Sequence, residues 1–439
     1  MRILLLAHDY PPIDSPQALR WGYLARELHR LGNQVTVLCA TPPGRPQAPC
    51  GWAAGPVVIS VPASGLIHNS FRIVARSRRS TKRAIALSDT QAPVGTSTWR
   101  GRIAAGLLRV TDWLVFPDGR RAWLRPARKA VREWLRNNKP DVVISSHEPA
   151  VSLLLGEECA QRGLAWVVDL GDPVLADYTL PHWRRAALRL ESRVCRLADA
   201  LITTSAATSE LLGERHRIAA EKFAVVPQGF APSMEGGGTE GEKMELRLLY
   251  TGRFYRFRSG RELFEAVVRT PGVVLDIATP DVPAELRAYA RKHPKSIRIQ
   301  QSLPHQCALE AQRHADVLVC LGNANPVQTP GKVYEYLGSG RPLLQVHQKA
   351  SDPVNALVTQ LRRGWTVAAD VDALSGKLAL LRDMKAAGRL LEGLDLSMAS
   401  VALHSWKARA MVLADVCSGA IHRSATQHGS SQGWRICHD

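Results

Sequence analysis

The stretch DVLVCLGNANPVQTPGKVYEYLGSGRPLLQVH, residues 316–347, decides the fold. It opens with a short, continuously apolar run and closes with a second one, RPLLQVH at 341–347. Between them, a segment that begins near Gly331 carries its apolar residues at helical spacing and ends at the glycines of GSG. Two buried strands joined by a helix run parallel, so the stretch predicts one β–α–β unit of a sheet covered on both faces.

The same alternation extends along the chain. Amphipathic stretches such as SPQALRWGYLARELHRLG (15–32) separate short apolar runs, as expected for parallel sheets. The runs that predict strands lie at 2–8, 34–40, 56–63, 141–147, 165–171, 200–205, 223–229, 246–252, 273–279, 297–302, 316–322, 341–347 and 364–370. At 439 residues the chain is too long for one ordinary core. We therefore predict an α/β protein with two doubly wound, Rossmann-like domains.

The domain boundary is predicted from a glycine-rich polar segment, SMEGGGTEGEKME, which has the composition of a flexible linker. An insertion with few strand signals interrupts the first domain. The predicted organisation is a first domain at 1–232 with its insertion at 66–136, a linker at 233–245, a second domain at 246–399, a helix at 400–417 and a disordered tail at 418–439.

Composition excludes several classes of protein. Hydrophobic residues make up 45% of the chain, which is typical of a globular protein. The apolar runs are far shorter than the roughly 20 residues that span a bilayer. The start, MRILLLAHDYPP, is too quickly polar for a signal peptide, so we interpret it as a strand of a cytoplasmic protein. The eight cysteines lack CxxC spacing, which argues against zinc and disulfide frameworks and favours buried free thiols.

The net charge of +18 is concentrated in the insertion. Residues 66–136 hold 16 Lys and Arg against 4 Asp and Glu, a local excess of +12. Such a segment attracts polyanions, and its basic amphipathic stretches are candidates for lying on a membrane. We predict peripheral binding to the inner face of the plasma membrane. The alternative is that the apolar faces pack on the domain and the arginines face water.

Phosphate chemistry is indicated without a signature loop. Neither GxGxxG nor GxxxxGK[ST] is present, which disfavours dinucleotide oxidoreductases and P-loop enzymes. However, four arginines crowd the loop and helix start after the strand LRLLYTG. Guanidinium groups there would suit a diphosphate. These arginines are Arg253, Arg256, Arg258 and Arg261.

The segment PGKVYE adds a cation and an anion one helical turn apart. Lys332 at the helix start is placed to neutralise a phosphate, and Gly331 permits close approach of its backbone N–H to a ligand. Glu335 can accept two hydrogen bonds from a vicinal diol such as ribose. Together they suit a nucleoside diphosphate or a nucleotide sugar. The alternative is an ordinary Lys–Glu ion pair on an exposed helix.

These features resemble the family 4-like retaining glycosyltransferases of the GT-B fold, in the branch that builds surface polysaccharides. Seven motifs occur in the family's order over most of the chain. They are DYPP after the first strand, DVVISSHEPA, AWVVDLGDPV, LADALITTS, AVVPQGF, YTGRFYRFRSGRELFEAV and TPGKVYEYLGSGRPLL. The segment FPDGRRAWLRPA (116–127) is similar to this branch as well.

The resemblance implies two Rossmann-like domains facing a cleft, with the nucleotide sugar held by the second, the acceptor by the first, and the last helix crossing back. Asp172 and Glu335 would be catalytic, Asp172 beside the reacting sugar and Glu335 near the ribose. No cofactor or metal is expected, because cations can stabilise the leaving diphosphate and no D-x-D element is seen. The donor-binding positions would be Gly252, Arg253, Arg258, Thr329, Gly331, Lys332 and Glu335. The acceptor-side positions would be Pro12, Ser15, His147 and Glu148.

The chain departs from the family pattern at several positions. Many relatives carry a second glutamate where this chain has Val327, and arginine or histidine where it has Gly171. The Asn-Gly pair becomes Gln228-Gly, the following Asp is Ala231, and IDSP (13–16) replaces a glycine pair. These departures bear on activity and on the sugar rather than on the fold.

Three hypotheses follow. The leading one is transfer of a sugar from a nucleotide diphosphate sugar to a glycan or lipid-linked acceptor with retention of configuration, without nucleic acid as a partner. The second is a non-enzymatic binder of nucleic acid or anionic membrane, in which aromatic residues of the insertion stack on bases. Those aromatics are Trp99, Trp113, Trp123 and Trp134. The third is a nucleotide-sugar 2-epimerase or a catalytically degenerate GT-B protein, although no acid–base pair for an epimerase is evident.

Overall fold

The computed structural model describes residues 1–13, 15–41, 55–62, 115–231, 245–254, 260–280, 282–301, 303–323 and 330–432, with the backbone alone at 301 and 427–432. These residues divide into two compact units. The first comprises the described residues up to Pro227 and those from Trp406 onward, and the second comprises Gln228–Ser405. Each unit holds one parallel sheet with helices between its strands. The predicted fold class, two doubly wound α/β domains, is confirmed.

The first unit contains seven strands and six helices within the described ranges. Its strands are β1 (Arg2–Leu6), β2 (Gln34–Ala40), β3 (Val57–Val61), β4 (Val142–Ser146), β5 (Trp166–Asp169), β6 (Ala200–Thr203) and β7 (Phe223–Val225). Its helices are α1 (Pro16–Arg30), α2 (Leu124–Asn137), α3 (Val151–Ala160), α4 (Arg184–Leu197), α5 (Ala206–His216) and, at the end of the chain, α12 (Trp406–Gln432).

The second unit contains six strands and six helices in its described part. Its strands are β8 (Leu246–Thr251), β9 (Val273–Thr279), β10 (Ile297–Gln301), β11 (Val317–Leu321), β12 (Leu343–His347) and β13 (Gly364–Ala368). Its helices are α6 (Arg261–Arg269), α7 (Ala284–Lys292), α8 (His305–Arg313), α9 (Lys332–Leu337), α10 (Pro353–Gln360) and α11 (Val371–Ala386).

Both sheets share one strand permutation. The orders are β3-β2-β1-β4-β5-β6-β7 and β10-β9-β8-β11-β12-β13. In each, the first strand lies in the interior, and Ile3 of β1, for example, pairs with Val35 on one side and Val142 on the other. In the first sheet, β2 and β3 lie on one side of β1, and β4 to β7 lie on its other side. In the second sheet, β9 and β10 lie on one side of β8, and β11 to β13 lie on its other side. The strand order therefore switches direction between β1 and β4 and between β8 and β11. Crevices that bind ligands form outside the carboxyl ends of strands at such switch points, so the loops after these four strands are where a site is expected.

Each sheet is covered on both faces by apolar side chains. Leu4, Val143 and Trp166 are fully buried in the first unit, and Leu248 and Leu344 are buried in the second. Full burial of such a side chain is worth about 1.5–3 kcal/mol. This explains why the strands appear in the sequence as continuous apolar runs, and all thirteen predicted strands are present in the described residues.

The units meet earlier in the chain than the predicted boundary at 232, and most of the predicted linker (233–245) lies outside the described residues. Gln228 already belongs to the second unit. Phe230 donates its backbone N–H to the His404 carbonyl at 3.3 Å. Its side chain lies over Gly338, where a Cβ atom would come within 2.5 Å of the ring. The PQGF segment is therefore bound to the second unit, and composition alone does not reveal that packing.

The last helix also differs from its predicted bounds of 400–417. Residues 402–404 form a separate short 3-10 turn, and α12 begins at Trp406, whose ring stacks on Tyr23 of α1 at 5.5 Å. The helix continues through about two thirds of the predicted tail (418–439), to Gln432. Within that part Ala420 is buried, and Arg423 donates to the Asp199 carbonyl at 2.8 Å. The polar composition of the segment after residue 417 predicts disorder, but contacts with the rest of the first unit stabilise this part of α12.

Only the end of the predicted basic insertion is described, from residue 115, and residues 66–114 lie outside the described ranges. In that end, α2 buries Leu124, Ala127 and Val131 in the first core. Trp123 is fully buried and Trp134 packs against the same core, so these two indoles are not placed to stack on bases. Arg125, Lys129, Arg132 and Arg136 line the exposed side of α2.

The six described cysteines are free thiols, five of them buried and Cys307 exposed. Cys50 and Cys437 lie outside the described ranges. Burial raises the pKa of Cys39 to about 11, so that thiol stays protonated at neutral pH. Within the described ranges, no helix combines the length and apolar character needed to cross a bilayer.

Candidate active site

The pair Lys332 and Glu335 lies on α9, directly after the loop that follows β11. Lys332 Nζ is 2.9 Å from Glu335 Oε1, which makes them an ion pair one turn apart. The Glu335 side chain is only 14% exposed, whereas Lys332 is 37% exposed. Gly331, the residue before α9, has ordinary helical backbone and Gln228 lies beside it. The cation is thus accessible to a ligand and the carboxylate is largely enclosed.

Glu335 is held by a neighbour that the sequence analysis did not single out. Gln312, near the end of α8, is fully buried and donates from Nε2 to Glu335 Oε1 at 2.5 Å. The same nitrogen is 3.1 Å from Thr251 Oγ1 at the end of β8. The Tyr336 hydroxyl in turn contacts both the backbone and the hydroxyl of Thr251. Three elements therefore converge on one carboxylate at the switch point of the second sheet.

The two oxygens of Glu335 have different surroundings. Oε1 accepts from both Gln312 and Lys332, while Oε2 lies 3.9 Å from His305 Nδ1. Burial opposes ionisation of this carboxyl, but the charges of Lys332 and His305 and the hydrogen bonds from Gln312 and Lys332 outweigh it. The net effect holds the pKa of Glu335 below its ordinary value. The group is consequently a carboxylate at neutral pH, with acceptor capacity left on Oε2.

The loop after β8 contributes Gly252 and Arg253 at the same edge. Gly252 has a φ of +148°, a conformation that side chains disfavour, and the Tyr250 hydroxyl donates to the Arg253 carbonyl at 2.8 Å. The Arg253 side chain is half-exposed. Arg261 pairs with Glu285 at 3.6 Å on the surface. Three further predicted positions, Arg256, Arg258 and Thr329, lie outside the described residues, as does Val327.

In the first unit, the structure brings His147 and Asp172 together. They follow β4 and β5, and His147 Nδ1 is 2.8 Å from the Asp172 backbone carbonyl. A carbonyl only accepts, so Nδ1 carries the proton. Burial lowers the pKa of His147 despite the raising effect of that hydrogen bond. At neutral pH the ring is therefore uncharged, with Nε2 as its acceptor nitrogen.

Glu148, the next residue, has a left-handed backbone with φ of 62°. This region favours glycine and costs other residues about 1 kcal/mol or more. Its exposed carboxylate accepts the Tyr178 hydroxyl at 2.8 Å through Oε1. A strained, exposed acid at the carboxyl end of a central strand is the kind of outlier that marks functional loops.

The other two predicted acceptor-side residues occupy the loop between β1 and α1. Pro12 is half-buried there. Ser15 is buried, and its hydroxyl accepts the Ala18 N–H at 3.1 Å, which caps α1. Burial alone would raise the pKa of Asp9. The His8 side chain, whose Nδ1 is 2.7 Å from Asp9 Oδ1, the charge of Arg120 and the Ser15 hydroxyl outweigh burial, and the net effect lowers that pKa.

A buried ion pair between α1 and β5 holds these loops in place. Arg20 of α1 binds Asp169 of β5 through two hydrogen bonds of 3.0 and 3.1 Å, and both side chains are fully buried. Arg20 also donates to the Val226 carbonyl at 2.9 Å. Gln17, one turn earlier, donates to the His147 carbonyl at 2.7 Å. The helix is thus tied to the ends of the two strands that precede His147 and Asp172.

Sequence reasoning missed Gln312, Tyr178, Asp9 and Arg20. Arg20 could have been noticed, because it is a charge among apolar residues on the inner side of a predicted helix. Gln312 gave no signal, since a lone glutamine near a helix end is ordinary. Among the described residues, no group of three or more His, Cys, Asp and Glu side chains is arranged to hold a metal.

Comparisons with known proteins fit this geometry. Residues 88–233 match the family model of Glycosyltransferase Family 4. The chain is similar to this family over those 146 residues, about a third of its length, and has the two-domain GT-B fold. The matched segment covers much of the first unit, including the HEPA and GDP motifs. No curated protein sequence matches the chain.

Solved structures are similar over nearly the whole of this chain. Sucrose-phosphate synthase from Thermosynechococcus elongatus has a TM-score of 0.63 at 16% identity, over 94% of this chain and 97% of that one. WaaG, a glycosyltransferase involved in lipopolysaccharide biosynthesis, has a TM-score of 0.53 at 15% identity, over 97% and 99%. A structure from Listeria monocytogenes that is described as a UDP-N-acetylglucosamine 2-epimerase has a TM-score of 0.56 at 12% identity, over 95% of this chain and 96% of that one. At these identities the likeness establishes the fold.

Proposed function

We propose that this protein is a glycosyltransferase that moves a sugar from a nucleotide diphosphate sugar to a glycan or lipid-linked acceptor, with retention of configuration. The observation that carries the proposal is the pairing of an accessible cation, Lys332, with an enclosed carboxylate, Glu335, at the switch point of the second sheet. A phosphate and a ribose diol are complementary to that pair.

In the proposed mechanism, Lys332 and Arg253 neutralise the diphosphate, together with Arg258. Negative charge grows on this group as the bond to the sugar breaks, so fixed cations stabilise the transition state more than the ground state. Glu335 accepts the ribose hydroxyls through Oε2, because Oε1 is engaged by Gln312 and Lys332. No metal is invoked, since the cations supply the stabilisation.

On the acceptor side, we assign roles to the loops after β4 and β5 in the first unit. Asp172 would act beside the reacting sugar, and His147 would orient the Asp172 loop through its 2.8 Å contact with the backbone. Glu148 would accept a hydroxyl of the acceptor. In a retaining reaction the leaving phosphate is the proposed base for the acceptor proton, which leaves these residues to position rather than to deprotonate.

The biological setting that we propose is surface polysaccharide synthesis on the inner face of the plasma membrane, with the protein bound peripherally. Two similar structures, WaaG and the lipopolysaccharide outer core galactosyltransferase WaaB, come from lipopolysaccharide synthesis. The cationic side of α2, with Arg125, Lys129 and Arg132 exposed, suits an anionic surface.

The test is a binding screen of UDP-, GDP-, ADP- and dTDP-sugars by thermal shift, followed by product analysis. NMR of the product reads the anomeric configuration and separates glycosyl transfer from epimerisation of the donor. Tight binding of one nucleotide sugar and a product of retained configuration are expected. Conversion to an epimer without an acceptor, or binding of none of the four, would contradict the proposal.

A further inference from the structure

The loop before α4 and the outer side of α4 expose large apolar side chains beside the acceptor-side loops. Tyr178, Leu180 and Leu188 are 46%, 38% and 40% exposed. Exposed arginines flank Leu188 on α4. We call this surface the arginine–leucine face, and it consists of Tyr178, Leu180, Arg185, Leu188, Arg189 and Arg196.

The charged members of this face are all arginines. Helix α4 carries five arginines and one acidic residue, Glu191. Glu191 is fully buried and is bound to Arg215 and His216, at 2.7 Å each. Arg193 pairs with Glu157 of α3 at 2.8 Å, and Asp177 is the exposed acid of the preceding loop. Arg185, Arg189 and Arg196 have no ion-pair partner among the described residues, so their charges face solvent.

Tyr178 and Leu180 belong to a loop whose backbone is well hydrogen-bonded. Buried Glu191 accepts the Leu175 N–H at 2.9 Å, and Arg215 donates to the Leu175 carbonyl at 3.0 Å. The Thr179 hydroxyl accepts the Ala176 N–H at 2.9 Å. The fold therefore holds Tyr178 and Leu180 outward, and the loss of water around them on binding needs no rearrangement.

We propose that the arginine–leucine face binds an anionic lipid surface and that a lipid-linked acceptor enters from it. The Tyr178 hydroxyl is hydrogen-bonded to Glu148 at 2.8 Å, and Asp172 begins the same loop. A sugar presented at that surface would thus lie next to the acceptor-side residues. This inference rests on the proposed glycosyl transfer for its acceptor, and it adds a binding surface separate from the predicted insertion.

A membrane suits this face better than a nucleic acid does. Leucine side chains among cations gain free energy when they enter the boundary between headgroups and acyl chains. The phosphate backbone of a nucleic acid would bind the arginines but not the leucines. Base stacking needs exposed aromatic side chains, and Tyr178 is the one aromatic member of the face.

The experiment is co-sedimentation of the full chain with vesicles of phosphatidylglycerol and phosphatidylcholine, and with phosphatidylcholine alone. The triple charge reversal Arg185→Glu, Arg189→Glu, Arg196→Glu should lower partition to the anionic vesicles by about 100-fold or more. The matched control reverses Arg287, Arg291 and Lys292, which are exposed on α7 of the second unit. It changes net charge equally and should lower partition less than about 3-fold, because those charges lie outside the face.

A second variant, Leu180→Ser with Leu188→Ser, tests the apolar contribution. High salt screens the charges of the arginines but leaves the apolar contribution of the leucines. At high salt, this variant should therefore partition to the anionic vesicles about 10-fold less than the unaltered protein. Equal loss in the two triple reversals, unchanged partition in the α4 reversal, or a preference for duplex DNA over vesicles would overturn the proposal. Nucleotide-sugar affinity, measured by calorimetry, should stay unchanged in all three variants. Absence of that affinity in the unaltered protein would instead count against the proposed function.

Discussion

At the scale of single residues, Lys332 and Glu335 are the positions on which the proposed nucleotide binding depends. Removing the Lys332 cation eliminates one charge-assisted hydrogen bond to phosphate, worth about 1.5–3 kcal/mol. Lys332→Ala should therefore weaken nucleoside diphosphate binding by roughly 10- to 150-fold, measured by calorimetry. Lys349→Ala, an exposed lysine in the loop after β12 of the same unit, is the control. Equal affinity in the two variants would remove Lys332 from the site.

Gln312 gives a test that depends on pH. Its hydrogen bond is one of the causes that lower the pKa of Glu335, so Gln312→Leu should raise that pKa. In the proposed site, binding of the ribose requires the carboxylate, so affinity should be present above the pKa of Glu335 and lost as pH falls through it. The midpoint of this loss should move to higher pH in Gln312→Leu. Gln306→Leu, exposed on the same helix, should leave the midpoint in place. A parallel drop at every pH would mean that Gln312 only supports the fold.

Asp172 belongs to the chemistry rather than to donor binding in our proposal. Asp172→Asn keeps the size of the side chain and the backbone carbonyl that contacts His147. It should lower kcat far more than it changes donor affinity, as expected when an interaction is made mainly in the transition state. Steady-state kinetics with the identified donor checks this. Wild-type kcat in a folded Asp172→Asn protein would make the residue structural.

At the scale of elements, the PQGF segment and α9 are joined by a close approach at Gly338. A Cβ atom there would lie 2.5 Å from the Phe230 ring and 2.6 Å from its Cβ. Gly338→Ala should destabilise the second unit by about 1–3 kcal/mol, because neither the helix nor Phe230 can move away freely. Gly376→Ala, in α11 with no neighbouring atom within 4 Å, should stabilise by about 0.5–1 kcal/mol. Urea unfolding measures both, and a shift of the same sign in the two variants would contradict this packing.

The supporting contacts of α1 show why elements at a site are difficult to foresee. Arg20 and Asp169 are 149 residues apart, yet together they fix the helix against the strand that leads to Asp172. Breaking such a buried pair by removing one partner costs about 3–5 kcal/mol. An arginine on the inner side of an amphipathic helix indicates a buried partner, but the sequence does not say which carboxylate it is.

At the scale of the whole molecule, the length of α12 has a consequence for stability. A chain ended after Ser418 would lose buried Ala420 and the hydrogen bond from Arg423 to Asp199. Its first unit should melt about 5–10 °C lower than that of the full chain in calorimetry. A chain ended after Gln432 keeps all described contacts and should melt with the full chain. Identical melting temperatures of the two shortened chains would mean that residues after Ser418 add no stability, as predicted for a disordered tail.

The sequence by itself determined the fold class and most of the strands. Strands covered on both faces must be continuously apolar, and helices between them must be amphipathic, so local patterns encode the layers directly. Parallel sheets also place loops after neighbouring strands at one edge, which is why Gly252, Lys332 and Glu335 could be grouped without coordinates. The two doubly wound domains follow from such local information, and so does the prediction of a phosphate-and-diol site, which stays a prediction.

The tertiary structure alone decided the partners of those groups and the ends of the units. Gln312 reaches Glu335 across 23 residues, Tyr178 reaches Glu148, and Gln228 and Ala420 belong to cores that composition does not indicate. Each of these contacts depends on which surfaces meet after the sheets are assembled. Periodicity reports whether a side chain is buried, but its free energy in the folded state depends on the particular neighbour that the topology brings to it.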